Sequence, residues 1–321
     1  MEYKRIKTEV LDRLGGKAGR ILNNVNADII EKISEIRIRA NLPLTLNLGK
    51  EHFYISEAST IVNEVQAYKP DSDEIAGVFQ SLCQNSFYVY SEDIKNGFIT
   101  IKGGHRIGIA GHIIQEFNAI KSVNDISSLN IRISRQVKGC CTKILPHIIR
   151  SQNDIYSTLI ISPPGCGKTT LIRDLARVLG TGWSNPSFTG VNIGIIDERS
   201  EIAACNKGIP TNDVGLRTDV IDGCSKDKGI MMMLRSLAPD IIITDEIGSR
   251  GDADSIISAM NAGIRIIATA HGYSLGDLNG RKEIIDMVTQ GVFEKYVLLS
   301  NKNGPGTIED ILDGQAWKKA I

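Results

Sequence analysis

The spacing of apolar residues in the second half of the chain predicts strands that alternate with helices and loops. Short runs rich in β-branched residues recur at residues 158–161, 192–197, 241–245, 264–269 and 292–299. Between them lie stretches with helical spacing or clusters of polar residues and glycine. Because strands that alternate with helices in this way are typical of a doubly wound parallel sheet, we predict an α/β fold for this half.

The first half of the chain contains apolar residues at strand spacing in some segments and at helical spacing in others. Residues 35–48 alternate apolar and polar side chains around a proline, which predicts a pair of strands, and residues 73–83 carry an apolar face at helical spacing. Gly103-Gly104 separates two further β-patterned runs, at 98–102 and 105–114. Since a two-residue hairpin turn requires positive φ, this glycine pair predicts a tight hairpin.

The boundary between the two halves is marked by a polar segment. After a predicted strand at residues 129–137 and a predicted helix at 139–150, the chain reads Ser151-Gln152-Asn153-Asp154. We therefore expect a smaller α+β domain over residues 1–150 and the parallel-sheet domain over residues 151–321.

The first strand of the second half leads into a glycine-rich segment with the pattern of a phosphate-binding loop, or Walker A motif. Backbone N–H groups of the turn and of the following helix would cradle the β-phosphate, Lys168 would reach the β- and γ-phosphates, and the Thr169 hydroxyl would bind Mg²⁺. Ser162 stands where the usual pattern begins with glycine, a position that accepts a small residue. The predicted nucleotide contacts are Ser162, Pro163, Pro164, Gly165, Cys166, Gly167, Lys168, Thr169 and Thr170.

A pair of carboxylates, Asp245 and Glu246, follows the apolar residues 241–243 and Thr244. In P-loop enzymes an aspartate at this place, the Walker B motif, holds Mg²⁺ and an adjacent acidic residue polarises the attacking water. We therefore predict Asp245 as a metal-binding residue and Glu246 as the general base. An exposed acidic turn after a core strand is the alternative.

A second acidic group, Asp197, Glu198 and Glu201, follows the strand at 192–197. Because open α/β sheets bind their ligands at the carboxyl ends of the strands, these residues are expected to share a site with the Walker B carboxylates. Asp197 and Glu201 are predicted near Mg²⁺, and Glu198 is the second candidate for the base. A solvated charged loop is the alternative.

One histidine and several arginines complete the candidate site. His271 ends the strand at 264–269 in Thr269-Ala270-His271-Gly272, where it could bind the γ-phosphate or a catalytic carboxylate, although a structural histidine is the alternative. Arg199 and Arg217 are the first candidates for a guanidinium that contacts the γ-phosphate of a neighbouring subunit. The second candidates are Arg106, Arg132 and Arg135.

Composition narrows the function classes. The 321 residues include 37 basic and 37 acidic side chains, so the chain has no excess of positive charge for direct nucleic-acid binding. No apolar run approaches the ~20 residues of a membrane span, and the first residues lack the core of a signal peptide. The six cysteines show no metal-binding spacing. We expect reduced thiols and a cytoplasmic location.

The order of these motifs resembles that of the secretion ATPases of type II and type IV systems and of type IV pilus motors. More closely, the chain resembles the stage III sporulation AA family. The segments that carry this resemblance are residues 35–39, 103–106, 197–205, 213–215, 217–220, 261–263 and 268–272. Two features depart from the wider secretion family: Asp245-Glu246 replaces a Gly-Glu pair, and Asp197-Glu198 reverses the usual order of the two carboxylates.

The resemblance implies an additional-strand P-loop NTPase of the RecA/AAA-like kind, which hydrolyses ATP with Mg²⁺ as a homo-oligomeric, hexameric ring. It implies a location on the mother-cell side of the membranes around a spore, with peripheral recruitment by membrane proteins of a sporulation channel assembly. The first domain would make ring and partner contacts and close over the nucleotide. The alternatives are a nucleic-acid-handling P-loop motor and a nucleotide-gated scaffold without turnover.

Overall fold

The chain forms two compact units, Met1–Arg135 and Gln136–Ile321. The computed structural model describes residues 2–49, 51–84, 90–116, 119–184, 187–206 and 208–314. The change from one unit to the other therefore comes before residue 150, where the polar segment had suggested it. The reason is packing, since Cys141, Ile144 and Ile148 are buried in the core of the second unit.

The first unit contains an antiparallel sheet of seven strands in the order β4-β3-β2-β1-β7-β6-β5. The strands are β1 Glu35–Arg39, β2 Thr45–Leu48, β3 Glu51–Ile55, β4 Ile61–Val62, β5 Phe98–Ile101, β6 His105–Glu116 and β7 Ala119–Arg132. The helices are α1 Glu2–Glu9, α2 Gly16–Asn23, α3 Ala27–Ile30, α4 Ser72–Leu82 and α5 Ser91–Lys95, with 3-10 turns at Leu11–Arg13 and Glu64–Gln66. The predicted strand pair at 35–48 and helix at 73–83 are confirmed as β1, β2 and α4.

The predicted β5–β6 hairpin is present, but its loop has three residues because Ile101 pairs with His105. Gly103 and Gly104 both have positive φ, 89° and 73°. A Cβ on Gly103 would lie 2.2 Å from Oε2 of Glu9. The same carboxylate lies 3.1 Å from Nε2 of the fully buried His105. The glycine thus admits the side chain that connects α1 to the hairpin.

The second unit is built on a seven-stranded sheet in the order β14-β13-β15-β16-β10-β17-β18. Its strands are β8 Ile149–Ser151, β9 Asp154–Ile155, β10 Thr158–Ser162, β11 Trp183–Ser184, β12 Ser187–Phe188, β13 Ile193–Asp197, β14 Thr218–Asp222, β15 Ile241–Glu246, β16 Arg265–His271, β17 Lys295–Ser300 and β18 Thr307–Asp313. Its helices are α6 Leu145–Ile148, α7 Lys168–Thr181, α8 Lys226–Ser236, α9 Arg250–Asn261 and α10 Lys282–Thr289, with a 3-10 turn at Gly276–Leu278.

All neighbouring strands of the large sheet are parallel except β17 and β18, which are antiparallel. Strand β10 shows why the sheet is buried on both faces: Ile160 packs into one apolar cluster, whereas Leu159 and Ile161 pack into the other. The five strands predicted from β-branched runs are confirmed. Strands β14 and β18 complete the two edges of the sheet.

Two predicted elements near the change of units differ from the structure. The strand predicted at 129–137 starts earlier and ends at Arg132. The helix predicted at 139–150 is reduced to Leu145–Ile148, because Gly139 has a φ of 86° and Pro146 lies in the first turn, where its missing N–H is tolerated. Turns replace the first half of the predicted helix.

Candidate nucleotide-binding site

Four of the predicted site residues lie at the same edge of the parallel sheet. Strands β13, β15, β16 and β10 are neighbours in that order, and all four run in the same direction. Their carboxyl ends carry Asp197, Glu246, His271 and Ser162 respectively. This edge is where an open α/β sheet binds its ligand.

The loop predicted to bind phosphate connects β10 to α7. Gly165 and Gly167 have φ values of 75° and 86°, and Gly167 is the N-cap of α7. A Cβ would be strained at both positions, because this left-handed region favours glycine. The first N–H groups of the 14-residue helix point toward the loop without partners inside the helix, which makes this end suited to an anion. The Gly306 N–H, from the β17–β18 loop, donates to the Cys166 carbonyl at 2.9 Å and supports the loop.

Lys168 folds over the loop that precedes it. Its Nζ donates to the carbonyl oxygens of Ser162 and Pro163 at 2.8 and 3.2 Å, and it lies 3.0 Å from Nδ1 of His271. Partial burial lowers the pKa of Lys168, and the charge of Glu246 opposes this shift. The ammonium group is therefore held at the place where phosphate oxygens would arrive.

His271 joins Lys168 to Glu246. Its Nε2 lies 2.9 Å from Oε2 of Glu246, while its Nδ1 faces the Lys168 ammonium. One tautomer satisfies both contacts: Nδ1 accepts from the ammonium and Nε2–H donates to the carboxylate. The three groups form a continuous path from the phosphate-binding loop through the end of β16 to the end of β15.

Sequence reasoning missed Lys226, whose Nζ contacts Glu198 and lies 2.8 Å from Oδ1 of Asp245. Lys226 is only 5% exposed. Burial by itself lowers its pKa, but its contacts with the two carboxylates outweigh burial and raise the pKa overall. Burial raises the pKa of Asp245, and Lys226 opposes that shift. The signal in the sequence was a lysine in the first turn of a helix, where the dipole disfavours a cation.

Two glycines place Lys226 between the strands. A Cβ on Gly229 of α8 would lie 2.8 Å from Cγ2 of Ile196, and a Cβ on Gly194 of β13 would lie 1.8 Å from Sδ of Met233. Close approach of helix and strand therefore depends on the absence of both side chains. On α8, Met233 is buried, whereas Met232 is 55% exposed.

Asp197 is directed into its own loop. Its Oδ1 accepts from the Glu201 N–H at 2.8 Å, and its Oδ2 accepts from the N–H groups of Ile202 and Ala203 at 3.0 and 2.8 Å. The side chain is fully buried. Burial raises its pKa, and the three amides oppose the shift. These contacts fix the loop that follows β13.

The buried Arg173 holds the same loop from α7. Its Nε donates to the Ile202 carbonyl at 2.6 Å, and its Nη2 donates to the Glu201 carbonyl. The phosphate-binding helix and the acidic loop are thus joined by a guanidinium that the sequence alone did not single out. Glu201 itself is exposed.

The two first-choice arginines differ in their surroundings. The guanidinium of Arg217 donates to the carbonyls of Thr189 and Gly190 at 2.8 and 2.6 Å. Arg199 is exposed, and no hydrogen bond or ion pair joins it to any other residue in the described ranges. The second candidates belong to the first unit, namely Arg106, Arg132 and Arg135.

The donors present fit Mg²⁺. Oδ1 of Asp245 is buried, and within the described part of the chain it has no hydrogen-bond partner of good geometry, although the Lys226 ammonium lies beside it. The Thr169 hydroxyl adds a second oxygen at the start of α7. Mg²⁺ prefers oxygen ligands and usually takes only one or two from protein, with phosphate and water supplying the rest.

No helix within the described ranges is long and apolar enough to cross a membrane.

The fold of this chain is similar to the folds of two solved proteins, a pilus motor and an ATPase. The pilus retraction motor PilT bound to ADP aligns with 84% of this chain and 75% of its own, with a TM-score of 0.55 and 13% identity. The ATPase DotB of Legionella pneumophila aligns with 83% of this chain and 72% of its own, with a TM-score of 0.50 and 13% identity.

Sequence comparison is more specific. Stage III sporulation protein AA of Bacillus subtilis (strain 168) is 42% identical over 282 residues, which cover 88% of this chain and 87% of that relative. The family model described as sporulation stage III, protein AA matches residues 4–318. The chain therefore belongs to the sporulation stage III protein AA family.

Proposed function

We propose that this chain is a Mg²⁺-dependent ATPase that hydrolyses ATP to ADP and phosphate and acts as a secretion-type motor. The observation that carries the proposal is the path from Lys168 through His271 to Glu246, which connects the phosphate-binding loop to a carboxylate. The PilT structure with the same fold holds ADP, which supports the same class of ligand here.

In the proposed reaction the chain's own groups bind phosphate and position water. The loop N–H groups and Lys168 would hold the β- and γ-phosphates, while Glu246, oriented by the Nε2–H of His271, would accept a proton from the attacking water. Mg²⁺, held by Thr169 and Asp245, would neutralise phosphate charge. Glu246 is the better candidate for the base because Glu198 is already bound by Lys226.

We further propose that the site is completed in a ring, a hexamer, in which the exposed Arg199 reaches a neighbouring subunit's phosphate. Arg217 is less suited because its guanidinium holds two backbone carbonyls of its own chain. In this proposal the first unit provides ring contacts and closes over the nucleotide. The ring lies on the mother-cell side and is recruited by membrane proteins of a sporulation channel assembly, whose transport it powers.

The experiment compares nucleotide binding with phosphate release in three proteins. Wild type should bind a fluorescent ATP analogue and release phosphate in the presence of Mg²⁺. Glu246→Gln should bind with similar affinity but release phosphate at least about a hundredfold more slowly, the usual range for a general base. Lys168→Ala should lose tight binding. If wild type binds the analogue but releases no phosphate, the proposed ATPase activity is refuted and a nucleotide-gated scaffold is favoured.

A further inference from the structure

Lys226 occupies an unusual position for a buried cation. Its ammonium bridges carboxylates from two strands, Glu198 after β13 and Asp245 in β15, and the side chain is 5% exposed. A buried ammonium is stable only when it is paired, and both carboxylates serve that purpose. Lys226 therefore offsets, from within the chain, one of the two negative charges of this acidic pair.

The Lys226 contact with Asp245 involves Oδ1, a carboxylate oxygen of the kind that Mg²⁺ binds. Oδ1 of Asp245 is buried and, among the described residues, has no hydrogen bond of good geometry, yet the Lys226 ammonium lies 2.8 Å away. A divalent cation at this carboxylate would stand close to the ammonium charge. Like charges repel strongly in a partly buried site. The Lys226 ammonium, in its present position, therefore weakens the binding of Mg²⁺ at Asp245.

We infer that Lys226 is a positioning residue that makes Mg²⁺ binding conditional on nucleotide. Without nucleotide the tethered ammonium takes the place of a cation at Asp245, so the acidic pair has little affinity for free Mg²⁺. Phosphate oxygens supply additional ligands, and the metal then enters together with the nucleotide while Lys226 keeps its contact with Glu198. This inference rests on the proposed function for the identity of the site.

The close packing of α8 makes this contact specific. Gly229 and Gly194 bring α8 against β13, so the first residue of the helix reaches both carboxylates. Lys228 is exposed on the same helix, only two residues later. It offers a matched control, since its replacement removes the same charge without touching the acidic pair.

The test measures binding of Mn²⁺, a probe for Mg²⁺, to the nucleotide-free full-length protein by electron paramagnetic resonance. Lys226→Met should bind Mn²⁺ at least about tenfold more tightly than wild type, whereas Lys226→Arg and Lys228→Met should behave as wild type. Adding Asp245→Asn to Lys226→Met should abolish the gain. Equal Mn²⁺ affinity in wild type and Lys226→Met, or a gain that survives Asp245→Asn, would overturn the inference.

A second measurement separates this inference from the proposed function and serves if Lys226→Met folds poorly. The Mg²⁺ dependence of binding of a fluorescent ADP analogue is recorded for wild type and for Lys226→Met combined with Glu198→Gln, which removes one of the two carboxylates left without a cation. The Mg²⁺ midpoint should fall at least about tenfold, with affinity in EDTA unchanged. An unmoved midpoint contradicts the role of Lys226, whereas failure of wild type to bind nucleotide contradicts the proposed function alone.

Discussion

Replacing Asp197 by asparagine separates a structural role from a catalytic one. The carboxylate accepts three backbone N–H groups, from Glu201, Ile202 and Ala203, and its side chain is fully buried. Asparagine has the same shape but only one acceptor oxygen. If that oxygen keeps the amides of Ile202 and Ala203, the amide nitrogen faces the Glu201 N–H, and two donors oppose each other.

The expected loss follows from these contacts. A hydrogen bond to a charged group contributes about 1.5–3 kcal/mol, and a neutral one about 0.5–1.5 kcal/mol. Asp197→Asn removes one charged bond and weakens two, and it regains part of the cost of burying a charge. The free energy of unfolding should therefore fall by about 2–4 kcal/mol. For a unit of this size the melting temperature should fall by roughly 5–15 °C.

The assay is calorimetric unfolding of wild type, Asp197→Asn and Asp219→Asn, together with nucleotide binding. Asp219 is exposed on the neighbouring strand β14 and controls for the change in charge. Binding should survive at low temperature because the phosphate-binding loop keeps its own contacts. A variant with wild-type stability and nucleotide binding but without hydrolysis would refute the reasoning and restore Asp197 to the chemistry.

Three further predictions concern other parts of the chain. Arg199→Ala should reduce hydrolysis in mixed rings by more than its mole fraction; a strictly proportional loss in a phosphate-release titration would contradict a role in trans. Arg265 donates to both carboxylate oxygens of Asp154 at 2.8 Å and lowers the pKa of that carboxyl. The pair therefore stabilises the fold fully at pH values above the unfolded pKa of Asp154, about 3.9. This stabilisation is lost as the pH falls through the lower pKa of the folded state. The difference in melting temperature between wild type and Arg265→Met should accordingly shrink from pH 7 to pH 3, and a constant difference would refute the assignment. Gly103→Ala should lower the melting temperature of the first unit, because its Cβ would lie 2.2 Å from Glu9, whereas Gly97→Ala, with open space around its Cβ, controls for the strain of a positive φ.

The parallel sheet could be predicted from the sequence because each of its central strands contains at least three closely spaced apolar residues. Strands of this kind are buried on both faces, as β10 is, and the pattern leaves few alternatives. The edge strand β14 was not predicted because only two of its five residues, Val220 and Ile221, are apolar. The length of the helix at 139–150 was overpredicted because the prediction used only the spacing of apolar residues. Gly139 and Pro146, which limit the length of the helix, do not change that spacing.

Only some of the residues in the candidate site could be predicted from the sequence. Motif spacing brings Lys168, His271 and Glu246 to one edge, and the structure joins them by direct contacts. Lys226 and Arg173 belong to no motif, because their positions depend on how α8 and α7 pack against β13 and its loop. Contacts of this kind are set by tertiary packing, which one sequence does not record.

On the proposed function, the contacts of Lys168 determine how phosphate binding reaches the carboxylates. The Lys168 ammonium group has three protons, and four acceptors surround it: the carbonyls of Ser162 and Pro163, the Ser162 hydroxyl oxygen and Nδ1 of His271. A phosphate oxygen can bind the ammonium only by replacing at least one of these partners. If His271 is the partner replaced, its Nδ1 loses the contact that fixes the ring, and the hydrogen bond from Nε2 to Glu246 changes with it. Since His271 ends β16 and Glu246 ends β15, arrival of the γ-phosphate would alter the ends of two adjacent strands. The loop after Asp197 would not move, because its backbone N–H groups donate to the Asp197 carboxylate and hold it in place.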